Sequence, residues 1–502
     1  MRLALSFTIL LALSCLSSAW LEEGDLLERN SFADGSILAD FQANSSLSFT
    51  KSPSAIKFFF TVRNPESKPI DIYLAIFDKD EEKWTIIKQL GRASPFGTTV
   101  FEYEANFEYA GLSSETDEFA LIGESDTGFV GKIFTVEEKW EAYENYLKSN
   151  IGLIALIFVP LVLLILVALG VFALFQASFG RRKDDKGEYT LSTLFFPRIK
   201  GRPASELIAY ILINPVFWAF EVFCGLILIA LILILSISTI SFEIALLLFI
   251  VGGVVCWLMP FVYLISIWLL EVWEREPLRF PVSLFMWGIF AAFIAFWLNM
   301  VVDFIGGGIF GLVLGSVGAS LFTIISAILF APFIEEFAKG FGVLIASGHH
   351  ELNDTFDGIL YGFAAGMGFA AVENWLYFAV ENNPAAAGGI EGWLFLIAYR
   401  SIFNSLGHGW FTACTGGVIG FMKARPQLRR YAVLGAIPGW LLASALHAIF
   451  NFFAVIDGVI NVFTALPIFL FNPVMLLSVT LIFVVVLAFA LKESKERVER
   501  GA

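Results

Sequence analysis

The stretch FIEEFAKGFG, residues 333–342, places Glu335, Glu336 and Lys339 inside a run of Ile, Leu and Phe suited to lipid. A charge at the bilayer centre costs about 2.5–3.5 kcal/mol on insertion scales, so such residues usually face a protein interior and have a task. On a helix, Lys339 lies four residues from Glu335 and three from Glu336, close enough to neutralise part of the pair. The two glutamates point about 100° apart, so one can meet the lysine while the other faces a cavity. His447 and Asn451 in LHAIFN are again four apart, as are Asn404 and His408 in FNSLGHG. Asp357, Glu373, Asn374 and Arg400 complete the polar set inside apolar segments. The chain has four histidines; the other two, His349 and His350, sit in the polar connector GHHELND.

Water activation is the chemistry this set could perform. A carboxylate in a dry pocket can act as general base, and an imidazole can assist the proton transfer. An asparagine amide can share the load of a developing oxyanion, where one donor is typically worth about 10²–10³ in rate. No Gly-x-Ser-x-Gly lies near a histidine and no Cys–His arrangement is suggested, so no nucleophile competes. Blander roles exist for single residues. Arg400 can simply pair with Glu373 or Glu336, Asp357 can cap the helix it begins, and Lys339 with its glutamates could snorkel to the headgroups. Gly362, Gly366 and Gly368 let helices approach closely and read as packing residues.

These groups must be held by membrane helices. The 502-residue chain is 58% hydrophobic and only 16% charged, with a mean hydropathy of +0.77. Soluble domains carry nearer a quarter charged residues, and several apolar runs here exceed the ~20 residues that cross a bilayer. Nine spans are predicted: about 151–175, 209–236, 243–270, 281–303, 308–331, 356–380, 393–421, 432–454 and 467–491. The fifth runs on without a polar break to about 347, so the depth of Glu335 and Glu336 depends on its frame.

Ahead of the spans, residues 1–19 have the basic start, apolar middle and small-residue end of a signal peptide. Residues 20–149 carry short aromatic and β-branched runs separated by turn-like NPESKP, DKDEEK and GRASPFGT, which predicts an extracytoplasmic β-sandwich-like domain. With 24 acidic and 12 basic side chains, that domain would repel nucleic acid and anionic lipid. Asn44-Ser45-Ser46 is a possible glycosylation acceptor. The fold class is thus an all-α polytopic membrane protein behind a β-rich outer domain. Residues 150–305 form four N-terminal spans, 306–455 the core with the polar set, and 456–502 the last span and a cytoplasmic tail. Basic clusters after spans one, three, seven and nine all fall on one side, which puts the tail inside and the β domain outside. Cys15 lies in the signal segment, and Cys224, Cys256 and Cys414 lie in apolar segments with no metal-ligand spacing.

Four motifs in order, EEFAK (335–339), DGILYGFAAGMGFAAVENWLYF (357–378), RSIFNSLGHGWFTACTG (400–416) and LHAIFN (446–451), resemble the PrsW family of intramembrane proteases. The resemblance covers about residues 325–455, and the family belongs with the CAAX prenyl endopeptidases in a superfamily of glutamate-dependent membrane proteases. It implies that Glu335 or Glu336 is the base for a catalytic water, that His408 assists, and that His447 with Asn451 forms the oxyanion site. Lys339, Asp357, Glu373, Asn374, Arg400 and Asn404 would support them. It further implies cleavage of membrane-anchored proteins, with anti-sigma factors a known substrate class. The signal peptide, outer domain and four extra spans depart from a minimal member, so substrate and oligomeric state stay open. No cofactor is expected. Zinc held by two histidines and a glutamate is the alternative, though no His-Glu-x-x-His helix is present. The rival of another class is a non-catalytic membrane scaffold or transporter, for which no internal repeat with paired broken helices is found.

Overall fold

The protein is described by a computed structural model over residues 24–29, 33–34, 45–79, 82–109, 114–125, 128–177, 179, 188–464 and 471–500. The expected signal peptide and the Asn44 acceptor lie outside the described residues. Two compact units are present. One comprises residues 1–153, 237–247 and 384–393, and the other the remainder.

In the first unit the aromatic, β-branched runs form strands. A seven-stranded sheet has the order β1 (Leu26–Glu28), β6 (Lys83–Ala93), β5 (Ile70–Asp78), β8 (Ser114–Ser125), β9 (Gly128–Lys139) and β2 (Ala33–Asp34), with β3 (Ser45–Ser48) also on β9. A separate antiparallel pair joins β4 (Ser54–Arg63) to β7 (Thr98–Phe107). Phe58 and Phe60 from β4 and Tyr103 from β7 share an apolar space with Leu74, Phe119 and Phe134 of the large sheet. This is a two-sheet arrangement with one aromatic interior. Phe49, Tyr109, Trp140 and Tyr143 then pack ring against ring where the last strand hands over to the first long helix. The Tyr109 hydroxyl donates to Glu144 at 2.6 Å, which ties strand side to helix side.

Among the described residues, seven helical runs are long and apolar enough to cross a membrane. In chain order, with one shorter helix included, the helices are α1 (Glu141–Gln176), α2 (Ala204–Leu212), α3 (Pro215–Ser238), α4 (Phe242–Leu270) and the run Arg279–Ala346. That 68-residue run is folded back on itself. Gly315 has φ 65° and ψ −155°, a conformation that suits glycine. Ser326 donates to Asp303 at 2.5 Å, and the Gly306 position meets the Phe322 ring. The run is therefore a hairpin of α5 (279–314) and α6 (316–346). The spans expected from the sequence, 281–303 and 308–331, put the break at 304–307, where three successive glycines stand at 306–308. A helix tolerates them, and the reversal waits for Gly315, the one glycine of this run with positive φ.

Next come α7 (Thr355–Glu381), α8 (390–423), α9 (Arg429–Gly458) and α10 (Phe471–Glu499). The apolar stretch of α7 is buried throughout, and small residues make that possible. A Cβ added at Gly358, Gly362 or Gly366 would sit 2.0, 2.4 or 2.2 Å from the carbonyl oxygen of Gly416, Thr412 or His408. The glycines climb α7 as those partners descend α8, an antiparallel contact with almost no side chain between backbones. On another face of α7, a Cβ at Gly368 would lie 1.9 Å from the Phe285 oxygen of α5. Gly366→Ala should lower unfolding free energy by about 2 kcal/mol, and Gly366→Leu should prevent native folding. Thermal unfolding of the detergent-purified chain, read by circular dichroism, measures both.

In the β unit, Glu138 is buried beside Asp117 and Glu115, and burial lifts its carboxyl to about 7, although the Trp140 indole N–H, 3.0 Å from Oε2, opposes the shift. The folded chain then holds a proton that the unfolded chain releases. Stability from this group is full at low pH and is lost as pH rises through about 5 to 7. Trp140 fluorescence should report a loss on the order of 2 kcal/mol across that window. Glu138→Gln should flatten the slope.

Candidate active site

Helix α6 carries Glu335, Glu336 and Lys339, and an interior π segment, Ser326–Phe330, precedes them. Glu336 and Lys339 have fully buried side chains, while Glu335 is 15% exposed. The Lys339 ammonium lies 2.8 Å from Glu336 Oε1 and 3.5 Å from Glu335 Oε2. It also donates to His408 Nδ1 at 3.1 Å and sits 3.8 Å from the centre of the Phe369 ring. One ammonium thus gathers α6, α7 and α8.

The histidines follow from what surrounds them. A carboxylate only accepts, so His447 Nδ1, 3.0 Å from Glu336 Oε1, carries the proton. The other nitrogen, Nε2, keeps its lone pair and lies 3.9 Å from Glu335 Oε2. Lys339 only donates, so His408 Nδ1 accepts and its Nε2–H faces Glu373 Oε2 at 2.6 Å. Both nitrogens of His408 are committed. The two rings stand edge to face, their centres 5.0 Å apart. Arg400, from the π segment Arg400–Asn404, donates to the other Glu373 oxygen at 2.8 Å and lies over the Tyr377 ring.

The two glutamates therefore differ. Glu336 accepts from Lys339 and His447 through Oε1, and from the Thr412 hydroxyl through Oε2 at 2.7 Å. In Glu335 the buried Oε2 has no hydrogen-bond partner among the described residues. Thr412 escaped the sequence reading, although it follows His408 by four residues and so shares its helical face.

Several expected residues lie elsewhere. Asn451 donates to the Ala327 carbonyl of the π segment at 2.8 Å, so its amide supports that turn rather than joining the Glu–His cluster. Asn374 donates to Ser405 Oγ at 2.9 Å, which pins α7 to α8. Asn404 is buried, its Oδ1 without a partner among the described residues. Asp357 accepts the backbone N–H groups of Asn353 and Asp354 while Asp354 returns a bond to its own N–H, a reciprocal helix cap. Arg400 pairs with Glu373 and not with Glu336.

Residues 276–488 match the model of the PrsW family, described as intramembrane metalloproteases. They span α5 to α10 and hold every residue of the cluster. Residues 276–488 belong to the PrsW family. A "Protease PrsW" of Geobacillus kaustophilus is 28% identical over 194 residues, 38% of this chain and 75% of that protein. One of Oceanobacillus iheyensis is 32% identical over 120 residues, covering 24% of this chain and 49% of its own. One of Halalkalibacterium halodurans is 29% identical over 128 residues, 25% and 54%. No solved structure matches the chain.

The word metalloprotease in the PrsW description asks whether the cluster could hold a metal. Glu335, His408 and His447 each bring a ligand atom within 4.8 Å of the others. One carboxylate and two imidazoles are the ligand types of a catalytic zinc site, and the unpartnered Glu335 oxygen is a free donor. By donor type the trio fits zinc once His408 gives up its bond with Lys339 or with Glu373. The cation would have to share the place with the Lys339 ammonium, which is 3.1 and 3.5 Å from two of the three residues.

Thr412 supplies the local test of this geometry. Thr412→Val leaves a buried Glu336 oxygen unsatisfied and should cost about 1–3 kcal/mol of stability. Thr412→Ser should recover most of the loss in the same thermal unfolding assay.

Proposed function

We propose that this chain is an intramembrane endopeptidase that cleaves membrane-anchored proteins, with Glu335 as the base that activates water. The contrast between the two glutamates carries the proposal. Glu336 is saturated by three donors and cannot take a water proton without losing them, whereas Glu335 has a buried oxygen uncommitted beside the free His447 Nε2. Water held by Glu335 gives its proton to that carboxylate as its oxygen attacks the scissile carbonyl. The His447 Nε2 lone pair lies on the same side, takes that proton from Glu335 and passes it to the leaving amine as the C–N bond breaks. Lys339 is the nearest cation to the oxyanion that develops, a place the resemblance assigned to His447 and Asn451. His408, Glu373 and Arg400 form a chain that orients rather than reacts.

Nine crossings complete the reading: the seven long runs, with α5 and α6 counted separately, and α8. The connections 237–247 and 384–393 belong to the same compact unit as the β domain, which supports one common side for all three. We place that side outside the cell membrane and the C-terminus in the cytoplasm. The β domain then stands where it could select protein substrates by their exposed parts.

Zinc is the second reading, favoured by the close approach of Glu335, His408 and His447. Those residues would hold it, and it would supply Lewis acidity to water or carbonyl. A membrane-anchored reporter co-reconstituted with the full chain, its products read by mass spectrometry, tests both. Glu335→Gln should reduce cleavage by about 10²–10⁴ at unchanged melting temperature. Glu336→Gln should lower cleavage and melting temperature together. Cleavage that survives exhaustive chelation supports the glutamate mechanism, and loss restored by zinc moves the assignment to the metal. Full activity in both glutamine variants would defeat the proposal.

A further inference from the structure

Away from that cluster, a second set of ligating side chains gathers where the connector between α6 and α7 meets the segment before α3. His349 and His350 come from the connector, and Glu206 comes from α2. Each offers a ligand atom within 4.8 Å of the other two. His350 Nδ1 contacts Glu206 Oε1 directly, and His349 Nε2 lies 3.7 Å from the same oxygen. His349 is fully buried and its Nε2 has no hydrogen-bond partner among the described residues. A buried ring nitrogen left unmatched and aimed at a carboxylate is costly unless something occupies the space between them. His350 is 41% exposed, which leaves a route from solvent.

Charge around the set favours a cation. Glu188 and Glu351 stand 3.8 and 3.4 Å from His350 Nε2, so three carboxylates surround the imidazoles. Arg202 is the cation inserted among them, 3.2 Å from Glu206 Oε1, 3.3 Å from His350 Nδ1 and 2.5 Å from Glu188 Oε1, while the Lys423 ammonium is held 3.0 Å from the His349 carbonyl oxygen. With Glu188 to hold it, the guanidinium can give up Glu206 without losing its ion pair. His349 sets the second condition. Its Nδ1 accepts the Glu351 backbone N–H at 3.2 Å, which puts the ring proton on Nε2. Loading therefore moves that proton to Nδ1 and opens the Glu351 contact.

We infer that Glu206, His349 and His350 form a divalent transition-metal site, of zinc type, separate from the Glu335 cluster. Two imidazoles and one carboxylate select zinc over calcium or magnesium, which take mainly oxygen ligands. Bound there, the ion clamps the segment before α3 to the connector after α6. It thereby joins the spans that precede the PrsW match to the helix that carries Glu335. The site needs no proteolysis, so its test stands apart from the proposed function.

The full chain in detergent, stripped by chelator and titrated with zinc chloride, gives the stoichiometry by elemental analysis after equilibrium dialysis. His447→Ala serves as background because it breaks the other trio. One zinc per chain is expected in that background, falling to none when Glu206→Gln or His350→Ala is added. Zinc should also raise the melting temperature of the His447→Ala chain and not that of its Glu206→Gln derivative. Arg202→Gln removes the competing cation and should tighten zinc severalfold, an outcome that a merely unfolded segment would not give. No zinc in the His447→Ala chain overturns the assignment, as does zinc that persists without Glu206 and His350 or weakens in Arg202→Gln.

Discussion

Everything at the centre of this molecule depends on a single ammonium group held without water. Lys339 has no exposed surface, and its partners Glu336, Glu335 and His408 come from two helices. Dehydrating such a pair is expensive, and removing one partner typically costs about 3–5 kcal/mol because the other charge is stranded. The interior must therefore keep lysine and glutamate together or not form. That requirement fixes the rotation of α6, since residues 336 and 339 must both look inward. Rotation in turn sends Phe337 and Phe341 outward, where both are substantially exposed on the apolar surface.

The second requirement is that α8 bring His408 close enough to meet the lysine. Bulky residues between α7 and α8 would hold the helices too far apart for a 3.1 Å contact between Lys339 and His408. The glycines at 358, 362 and 366 remove that spacing and let α7 lie against the α8 backbone. Asn374–Ser405 and Glu373–Arg400 then fix the register near the other end of the contact. Packing and chemistry share residues here. Gly366 faces the His408 backbone, and Glu373, two turns along the same helix, faces the His408 ring.

Much of this was legible in the sequence, because membrane helices leave few polar residues to choose among. Charges spaced three and four apart in EEFAK point to a shared face, and the glycine spacing points to close packing. What was illegible has a physical cause in each case. Glycine type says nothing about which of Gly306, Gly307, Gly308 and Gly315 adopts a positive φ, so the hairpin turn was misplaced. Threonine is common in membrane helices, so Thr412 gave no signal until Glu336 stood opposite it. Asn451 shares a helical face with His447, yet the π segment at 326–330 exposes a carbonyl that captures its amide. Spacing shows which face a side chain occupies, but not which acceptor on that face is nearest.

The paired glutamates make sense as a division of labour that one carboxylate could not perform. An acid that accepts from Lys339, His447 and Thr412 is held rigidly, with its oxygens already engaged by three donors. In the proposed mechanism the acid that reacts is the reverse, near the same cation and imidazole but hydrogen-bonded to neither. Adjacent positions on a helix meet both demands, because 100° of rotation turns Glu336 fully into the protein and leaves Glu335 15% exposed. Glu336 in this way orients His447 through Nδ1, and the opposite nitrogen of that ring is thereby turned towards Glu335. The anchoring glutamate thus decides which ring nitrogen of His447 faces Glu335, the base of the proposed mechanism, although the two carboxylates share no hydrogen bond.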